Sequence, residues 1–521
     1  MLVAFKSQAF GQMVISESDQ KKINNYSSKF KIILETLAKF YDDSLNVDEL
    51  SDAAFNALLQ KLDPYSKYFT TSEWKAFNDE STGNKVGIGI QLFQLNDTLN
   101  IINVIKESSA DDAGLTSGDK ILLINDSNFI GKPVSTADEL LNGEKNTLVK
   151  VQVKKISDGK IIDLLIPRKD FLITSVSTAF IIPDTKILYL KLIRFSTKSY
   201  EEIMNTMEKY NNKFNSLVLD LKDNQGGSLD QVLKITEEFT SKGDTILMLK
   251  SKSNVYDSVY VNKTNGKYNK LPVAVVINYK TASASEIFAG VMQDLDRGIV
   301  VGQISTGKGL VQRTWTYTDT SAFRITVAKY YTPSGRLINR SDFTNQNISI
   351  PELELLNSSD QVDYKELLNK YNSKNFTQFK SRKGRKLMSF GGIFPDIISN
   401  EIPYTKLSNI LKNNGFLLSY SLFYYNNNYK YFQKFEDLEE FEKNYQVDIN
   451  YLNSFITYIK SKKVYDEKMF EKDKELIITY LKAYIAFYKW GDSGSYRILF
   501  KNDIQSAETI KNIDKSIKMI E

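Results

Sequence analysis

The chain has 521 residues, of which 42% are hydrophobic and 25% are charged, as in ordinary globular domains. This composition excludes a disordered or fibrous protein. The 68 basic and 63 acidic residues are interleaved, so the formal net charge of +5 does not form the basic tracts of a nucleic-acid-binding protein. At roughly 150 residues per domain, the length predicts three or four domains.

The chain contains no cysteine and no histidine. The missing cysteine excludes a thiolate nucleophile, a disulfide framework and Cys-ligated zinc. The missing histidine excludes a Ser-His-Asp triad and an HExxH metal site. A hydrolase built from this chain would need Asp, Glu, Lys, Tyr or a chain terminus as its general base.

The N-terminal residues divide into a tail and a helical segment. Residues 1–18 fit the remnant of an export signal and, equally well, a plain tail, because their apolar run is interrupted early. Residues 19–84 show apolar spacing typical of two amphipathic helices, followed by a short helix that begins near Thr71. We find no later run of roughly 18 apolar residues and therefore predict no membrane span in the mature body.

Three further regions follow. Short β-like runs between Gly and Asp turns predict a compact β-rich module over residues 85–168. Buried strands that alternate with helical segments predict an α/β core over residues 169–400, with a polar surface insertion at about 340–388. Residues 401–521 are again helical, and a Tyr-rich stripe from Leu476 to Tyr488 is typical of a helix that faces a core.

Ser283 lies at a strand-to-helix junction, between the apolar strand LPVAVVI and the helical run IFAGVMQDL. Free backbone N–H groups at a helix N-terminus can stabilise an oxyanion there. On this segment alone, helix capping by Thr281, Ser283 and Ser285 is the better interpretation.

Lys308 lies between Gly307 and Gly309, directly after the buried strand IVVGQ. Glycines on both sides allow close backbone packing, and an enclosed ammonium loses its proton more readily than one in water. To act as a general base, its pKa must fall from about 10.4 to roughly 7 or 8, which corresponds to about 4 kcal/mol. The alternative is an ordinary lysine in a surface loop.

A third turn, LDLKDNQGG at residues 219–227, ends another apolar strand with Gly226 and Gly227. Paired glycines can present backbone N–H groups to an oxyanion. In isolation, the same segment is only a tight turn.

Four segments occur in the order found in the C-terminal processing peptidases: LDLKDNQGGSL, NYKTASASEIFAG, STGKGLVQ and AKYYTPSGRLI. The chain resembles this family of tail-specific serine peptidases, which are related to the tricorn core. The resemblance implies Ser283 as the nucleophile and Lys308, 25 residues later, as the general base. It also implies that Gln312 orients the lysine, and that the Ala284 amide forms an oxyanion hole with Gly226 or Gly227. Lys222-Asp223 stands where Arg-Asn is common in the family.

The β-rich module resembles a PDZ domain. Its carboxylate-binding loop would comprise Val86, Gly87, Ile88, Gly89 and Ile90, and SADDAGLTSGD at residues 109–119 resembles the second PDZ signature. A substrate tail would add a strand to the sheet while loop amides bind its carboxylate. The expected fold is therefore a multidomain α/β protein with a crotonase/ClpP-like peptidase core, an inserted PDZ domain, an N-terminal helical segment and a C-terminal helical extension.

The expected function is a serine endopeptidase that acts through an acyl-enzyme, needs no metal or cofactor, and takes protein or peptide substrates with accessible C-termini. Two rivals remain: a catalytically silent PDZ scaffold, and an acyl-transfer or hydratase enzyme on the same kind of core. The resemblance implies a periplasmic or otherwise extracytoplasmic protein. It leaves open an adaptor or activator protein, oligomerisation, and whether the PDZ module covers the active site until a tail docks.

Overall fold

The computed structural model describes residues 15–340, 379–389, 391–399 and 405–520. Most of the N-terminal tail predicted as a signal remnant and most of the predicted polar insertion lie outside these residues. Side chains are described throughout these ranges except at positions 80 and 520.

The N-terminal segment contains the two predicted amphipathic helices and the short helix. The elements are α1 (Glu17–Phe40), α2 (Val47–Gln60), β1 (Lys67–Phe69) and α3 (Thr71–Thr82). A capping box fixes the start of α3, because Thr70 and Glu73 bond each other's backbone amides. The three helices predicted from the sequence are confirmed.

The β-rich module forms one sheet closed by two short helices. Its elements are β2 (Asn84–Gly87), β3 (Ile90–Leu95), β4 (Thr98–Val104), α4 (Ser109–Asp112), β5 (Lys120–Ile124), β6 (Ser127–Asn128), α5 (Val134–Leu141), β7 (Leu148–Lys154), β8 (Ile161–Pro167) and β9 (Lys169–Leu172). The sheet order is β3-β4-β5-β7-β8, with β6 paired to β5. Strands β2 and β9 pair antiparallel to each other and form the neck of the module. The module is therefore inserted between the N-terminal segment and the core.

The core is built on a sheet with the order β10-β11-β12-β15-β16-β21. From β11 onward its strands are parallel, and β10 is antiparallel to β11. Residues of β11, β12, β15 and β16 are buried throughout, as expected where a parallel sheet is covered on both faces. The core elements are β10 (Val176–Ile181), β11 (Ile187–Leu192), α6 (Ser199–Lys209), β12 (Ser216–Asp220), α7 (Leu229–Phe239), β13 (Thr245–Lys250), β14 (Ser258–Val261), β15 (Val273–Ile277), α8 (Ala284–Asp294), β16 (Gly298–Gly302), β17 (Leu310–Thr316), β18 (Ala322–Tyr331), β19 (Phe379–Lys380), β20 (Lys386–Leu387) and β21 (Ile397–Ile398).

A second, antiparallel sheet packs through β13 against α7 and α8, and it was not predicted from the sequence. It has the order β1-β18-β13-β14, and β17 also pairs with β18. Lys67 of β1 lies opposite Arg324 of β18. This pairing brings the N-terminal segment close to the loop of residues 307–309, which contains Lys308 and directly precedes β17.

The C-terminal extension is helical, as predicted. Its elements are α9 (Lys406–Asn413), α10 (Phe416–Asn427), α11 (Tyr429–Phe432), α12 (Leu438–Asn444), α13 (Ile449–Ser461), α14 (Glu467–Phe500) and α15 (Ile504–Ile520). Ile477, Leu481, Ile485 and Tyr488 of the predicted stripe are buried, which confirms their role in a core. Gly491, with φ of 64° and ψ of −156°, interrupts α14.

The extension contacts both the β-rich module and the core sheet. Phe93 and Ile102 of the module pack into the apolar core of the extension. At the other end, Ile513 of α15 lies in a cluster with Val276 and Val301, on the face of the parallel sheet opposite α8. The extension therefore supplies the second cover that a parallel sheet requires. No helix of the described residues combines the length and apolarity needed to cross a membrane.

Candidate active site

The three predicted catalytic segments meet at one edge of the parallel sheet. They follow β12, β15 and β16, which are adjacent in the sheet order. Because the carboxyl ends of parallel strands lie at the same edge, the glycine turn, Ser283 and Lys308 come together there, in the position where open α/β sheets bind ligands.

Ser283 has an unusual backbone conformation. Its φ of 56° and ψ of −117° place a non-glycine residue in a sparsely populated region just before α8. The strained turn is held in place because the amides of Glu286 and Ile287 donate to its carbonyl, at 2.8 and 3.0 Å. A sharp strand-to-helix turn of this kind presents a serine hydroxyl at the top of a sheet.

The Glu286 carboxylate connects the Ser283 turn with the Lys308 loop. It accepts hydrogen bonds from the backbone amides of Ser283 (2.8 Å), Gly307 (2.6 Å) and Lys308 (2.9 Å), and from the hydroxyl of Ser305 (2.5 Å). Glu286 is fully buried. Burial raises the pKa of Glu286, while these hydrogen bonds act in the opposite direction. The two segments are therefore fixed to one carboxylate.

Tyr330 makes a second connection between the same two segments. Its hydroxyl lies 2.6 Å from the Lys308 carbonyl and 3.2 Å from the Ser283 carbonyl, and it donates to them. The side chain is 1% exposed, and burial raises the pKa of Tyr330 well above its usual value. The hydroxyl therefore stays protonated and remains a donor.

Lys308 occupies an enclosed position. Burial is the main cause that lowers the pKa of Lys308, and the nearby positive charge of Arg324 lowers it further. The carboxylates of Glu286 and Asp63 oppose this shift. The Lys308 Nζ atom lies 4.8 Å from the centroid of the Tyr65 ring. Within the described residues no hydrogen bond joins Ser283 Oγ to Lys308 Nζ, and such bonds often tighten only when substrate binds.

The glycines on both sides of Lys308 are required by packing. A Cβ atom at Gly307 would lie 1.3 Å from the Gly391 carbonyl oxygen, and one at Gly309 would lie 2.1 Å from the Ile338 carbonyl oxygen. The close backbone approach predicted from the sequence is confirmed.

The glycine turn lies against the Ser283 segment. A Cβ atom at Gly226 would lie 2.8 Å from the Ala284 nitrogen. The Gly226 amide, however, donates to Asn224 Oδ1 at 2.9 Å. The amides of Gly227 and Ala284 have no hydrogen-bond partner among the described residues. Of the three predicted oxyanion donors, these two are available.

Gln312 lies on β17 at a bulge after Val311, opposite Thr326 of β18. Its Nε2 atom is buried and has no partner within the part of the chain that is described. No hydrogen bond joins it to Lys308 among those residues, so its predicted orienting role stays a prediction.

Sequence reasoning did not assign a role to Glu286, Tyr330, Tyr65 or Arg324. Glu286 could have been found, since a glutamate three residues after a serine at a helix start is the capping-box spacing. Tyr65 and Arg324 carry no local signal, because the pairing of β1 with β18 brings them to Lys308.

The predicted carboxylate-binding loop of the β-rich module connects β2 to β3. The carbonyls of Ile88 and Gly89 accept from the amides of Ala110 (2.8 Å) and Ile105 (2.9 Å). The amides of Ile88 and Gly89 have no partner among the described residues. Strand β3 is an edge strand beside α5. Free loop amides next to an open strand edge are what a peptide C-terminus needs.

Residues 186–347 match the model of Peptidase family S41, and residues 86–166 match the PDZ domain. Residues 407–491 match a family of unknown function, DUF8443. A probable CtpA-like serine protease of Staphylococcus epidermidis is 28% identical over 391 residues, which cover 74% of this chain and 79% of that protein. A probable CtpA-like serine protease of Staphylococcus haemolyticus is 30% identical over 313 residues, which cover 60% of this chain and 62% of that protein. Among solved structures, the photosystem II D1 C-terminal processing protease is 24% identical, with a TM-score of 0.34 and coverage of 60% of this chain and 84% of that one.

The fold and these matches define a serine-type peptidase of family S41 that carries a PDZ domain. Residues 186–347 are therefore an S41 peptidase domain, and the chain is similar to CtpA-like serine proteases, in agreement with its resemblance to the C-terminal processing peptidases.

Proposed function

We propose that the protein hydrolyses peptide bonds with a Ser283/Lys308 dyad. The observation that carries this proposal is the double connection between the two segments, through the buried Glu286 carboxylate and the Tyr330 hydroxyl. Two buried connections fix the distance and orientation between the segments of the proposed nucleophile and base. Nucleophilic catalysis depends on such fixed positions.

The mechanism uses only groups of the chain. Neutral Lys308 takes the proton of the Ser283 hydroxyl as its oxygen attacks the scissile carbonyl. The resulting oxyanion accepts hydrogen bonds from the Gly227 and Ala284 amides. Lys308 then returns the proton to the leaving amine. Water next attacks the acyl-enzyme: Lys308 takes a proton from the water and gives it to the Ser283 oxygen as the ester bond breaks.

The direct test is cleavage of an unstructured protein with an apolar C-terminus, followed by mass spectrometry of the fragments. We expect the wild type to cleave it and Ser283→Ala to bind its tail without cleaving. A wild type that binds the tail and never cleaves would favour the silent scaffold.

The pH dependence should report the pKa of Lys308. Because the base must be neutral, kcat/KM rises as pH rises through a pKa that lies below the ordinary lysine value. Arg324→Met removes a positive charge that lowers this pKa and leaves the opposing carboxylates of Asp63 and Glu286 in place. The rising limb should therefore move to higher pH.

The matched control for this shift is Arg313→Met on the neighbouring strand, whose guanidinium stacks on Tyr256 and Trp315. Its profile should match that of the wild type. An Arg324→Met profile that moves to lower pH, or does not move, would contradict the proposed charge effect.

We further propose that the PDZ groove selects substrates by their C-terminal tails. The free amides of Ile88 and Gly89 at the edge of β3 support this assignment. The loop Val86, Gly87, Ile88, Gly89 and Ile90 would hold the terminal carboxylate, and the tail would pair with β3. By the same resemblance, we propose that the protein works outside the cytoplasm.

Gly89→Ala should weaken binding of an apolar tail peptide by about tenfold or more, because its φ is 84° and a Cβ atom would lie 2.2 Å from Ser108 Cβ. Gly131→Ala is the matched control: its φ is 77°, but nothing lies within 4 Å of the added Cβ atom. Both variants should be compared by fluorescence anisotropy in the Ser283→Ala background. Equal affinities for the two variants would exclude this loop as the binding site.

The PDZ domain could also cover the active site until a tail docks. Point variants such as Gly89→Ala test this idea better than deletion of residues 85–168. The outer face of the domain packs on the extension through Phe93, Leu95, Ile102 and Ile156. Deletion would expose the apolar surface of the extension, so a change in rate would not report on gating alone.

A further inference from the structure

A buried charge cluster lies where the C-terminal extension meets the end of β12. Asp220, the last residue of β12, is 1% exposed and accepts hydrogen bonds from the Tyr189 hydroxyl (2.5 Å) and Lys191 Nζ (3.3 Å). Its carboxylate also accepts from the Lys222 amide at 2.8 Å. Asp220 therefore fixes the first part of the glycine turn to the sheet.

Asp503 of the extension completes this cluster. Lys222 Nζ contacts the Asp503 carboxylate directly and lies 3.7 Å from that of Asp220. The Lys222 and Asp503 side chains are 12% and 20% exposed. With Lys191, the cluster contains two cations and two anions, and the loss of one partner leaves a poorly solvated charge.

Asp503 is itself held rigidly. Its carboxylate caps α15 by accepting from the amides of Gln505 (3.0 Å) and Ser506 (3.3 Å) and from the Ser506 hydroxyl (2.7 Å). Further along α15, the Ser516 hydroxyl bonds both the amide and the carbonyl of Val273 on β15. The ion pair thus joins Lys222 to a helix that is fixed on the sheet.

The turn continues from Lys222 directly into the proposed oxyanion donors. Asn224 anchors it: the side chain bonds the Leu192 carbonyl and the Gly226 amide, each at 2.9 Å. The Asn224 carbonyl accepts from the Ala282 amide and the Ser285 hydroxyl, each at 3.0 Å. A displacement at Lys222 is therefore transmitted over few bonds to the Gly227 amide and the Ser283 segment.

We propose that Asp503 is a positioning residue for catalysis, which through Lys222 holds the glycine turn so that the Gly227 amide meets the oxyanion. This inference rests on the proposed function, because it assigns Asp503 to the oxyanion hole of that reaction. It makes the C-terminal extension part of the catalytic apparatus. Displacement of one oxyanion donor lowers the rate of the chemical step while leaving substrate binding unchanged.

The test is steady-state kinetics of the full chain on a tail-bearing peptide substrate. Asp503→Asn keeps Oδ1, which caps α15, and replaces Oδ2, which accepts from Lys222 and from the Ser506 hydroxyl, with an uncharged NH₂ group. We expect kcat to fall by about tenfold, with KM and the midpoint of the pH profile unchanged. Asp503→Glu should recover most of the rate. Lys222→Met should resemble Asp503→Asn, and the double variant should be no slower than the slower single variant.

Ser516→Ala is the matched control, because it loosens the same helix from the sheet at a point remote from the turn. It should lower thermal stability and leave kcat unchanged. An unchanged kcat in Asp503→Asn, or an equal fall of kcat in Ser516→Ala, would overturn the positioning role of Asp503. The proposed function would still stand if the wild type cleaves and Ser283→Ala does not. A wild type that does not cleave would overturn both.

Discussion

Ser283→Ala and Lys308→Met are each expected to lower kcat by roughly four orders of magnitude or more, and the double variant no further than the worse single variant. In the proposed mechanism the two side chains act in one step, because the serine is a weak nucleophile until the lysine takes its proton. Once one of the two side chains is lost, loss of the second lowers kcat no further. The measurement is kcat for the wild type, both single variants and the double variant on one peptide substrate.

The control is Lys280→Met, which removes an exposed lysine from the loop just before Ser283. It should retain the rate of the wild type. Losses that multiply in the double variant would show that Ser283 and Lys308 act independently, and the dyad would then be wrong. Circular dichroism should show that all variants are folded.

Glu286→Gln is expected to lower kcat by about 100-fold and to cost about 2–4 kcal/mol of stability. The side chain accepts from three backbone amides and one hydroxyl. Glutamine has one acceptor oxygen and an NH₂ group that would face N–H donors, so at least one buried amide loses its partner. Ser283 and Lys308 would then lose a common anchor, and a small misplacement of reacting groups strongly lowers the rate.

Asp294→Asn is the matched control for this prediction. Asp294 is also a buried carboxylate of α8, but it lies at the other end of the helix, where it binds Arg336 and the Ser334 amide. It should lower thermal stability by a similar amount without the fall in kcat. If Glu286→Gln lowered stability alone, Glu286 would be a structural residue with no positioning role. Unfolding by urea and kcat should be measured on the same preparations.

The strained backbone at Ser283 is held in place by several hydrogen bonds. A left-handed φ at a serine costs of order 1–3 kcal/mol and persists only where the surroundings enforce it. Glu286, Tyr330 and the buried helix α8 supply that enforcement. The contacts that stabilise this strained backbone also hold the Lys308 segment, so a variant that breaks them is expected to change both stability and the proposed catalysis.

Much of the fold could be predicted from local signals. The strands β11, β12, β15 and β16 are short apolar runs, and the helices between them have apolar residues at helical spacing. Ser283 and the glycine turn could be located because each follows such a strand, and parallel order places all strand ends at one edge. Glu286 lies in the segment NYKTASASEIFAG and Tyr330 in AKYYTPSGRLI. No local pattern shows that this carboxylate and this hydroxyl connect the Ser283 turn with the Lys308 loop.

Periodicity, turn residues and composition are local properties of the chain, and from them we could predict the helices, the strands of the parallel sheet and the β-rich module, and exclude chemistries that need cysteine or histidine. The groups that surround Lys308, and the helix that contacts the glycine turn, follow from tertiary contacts alone. Tyr65 and Arg324 meet Lys308 through the pairing of β1 with β18, and Asp503 meets Lys222 across 281 positions of the chain. Such contacts depend on strand register and helix docking, which are set by the packing of the whole molecule and leave no periodic trace in the chain.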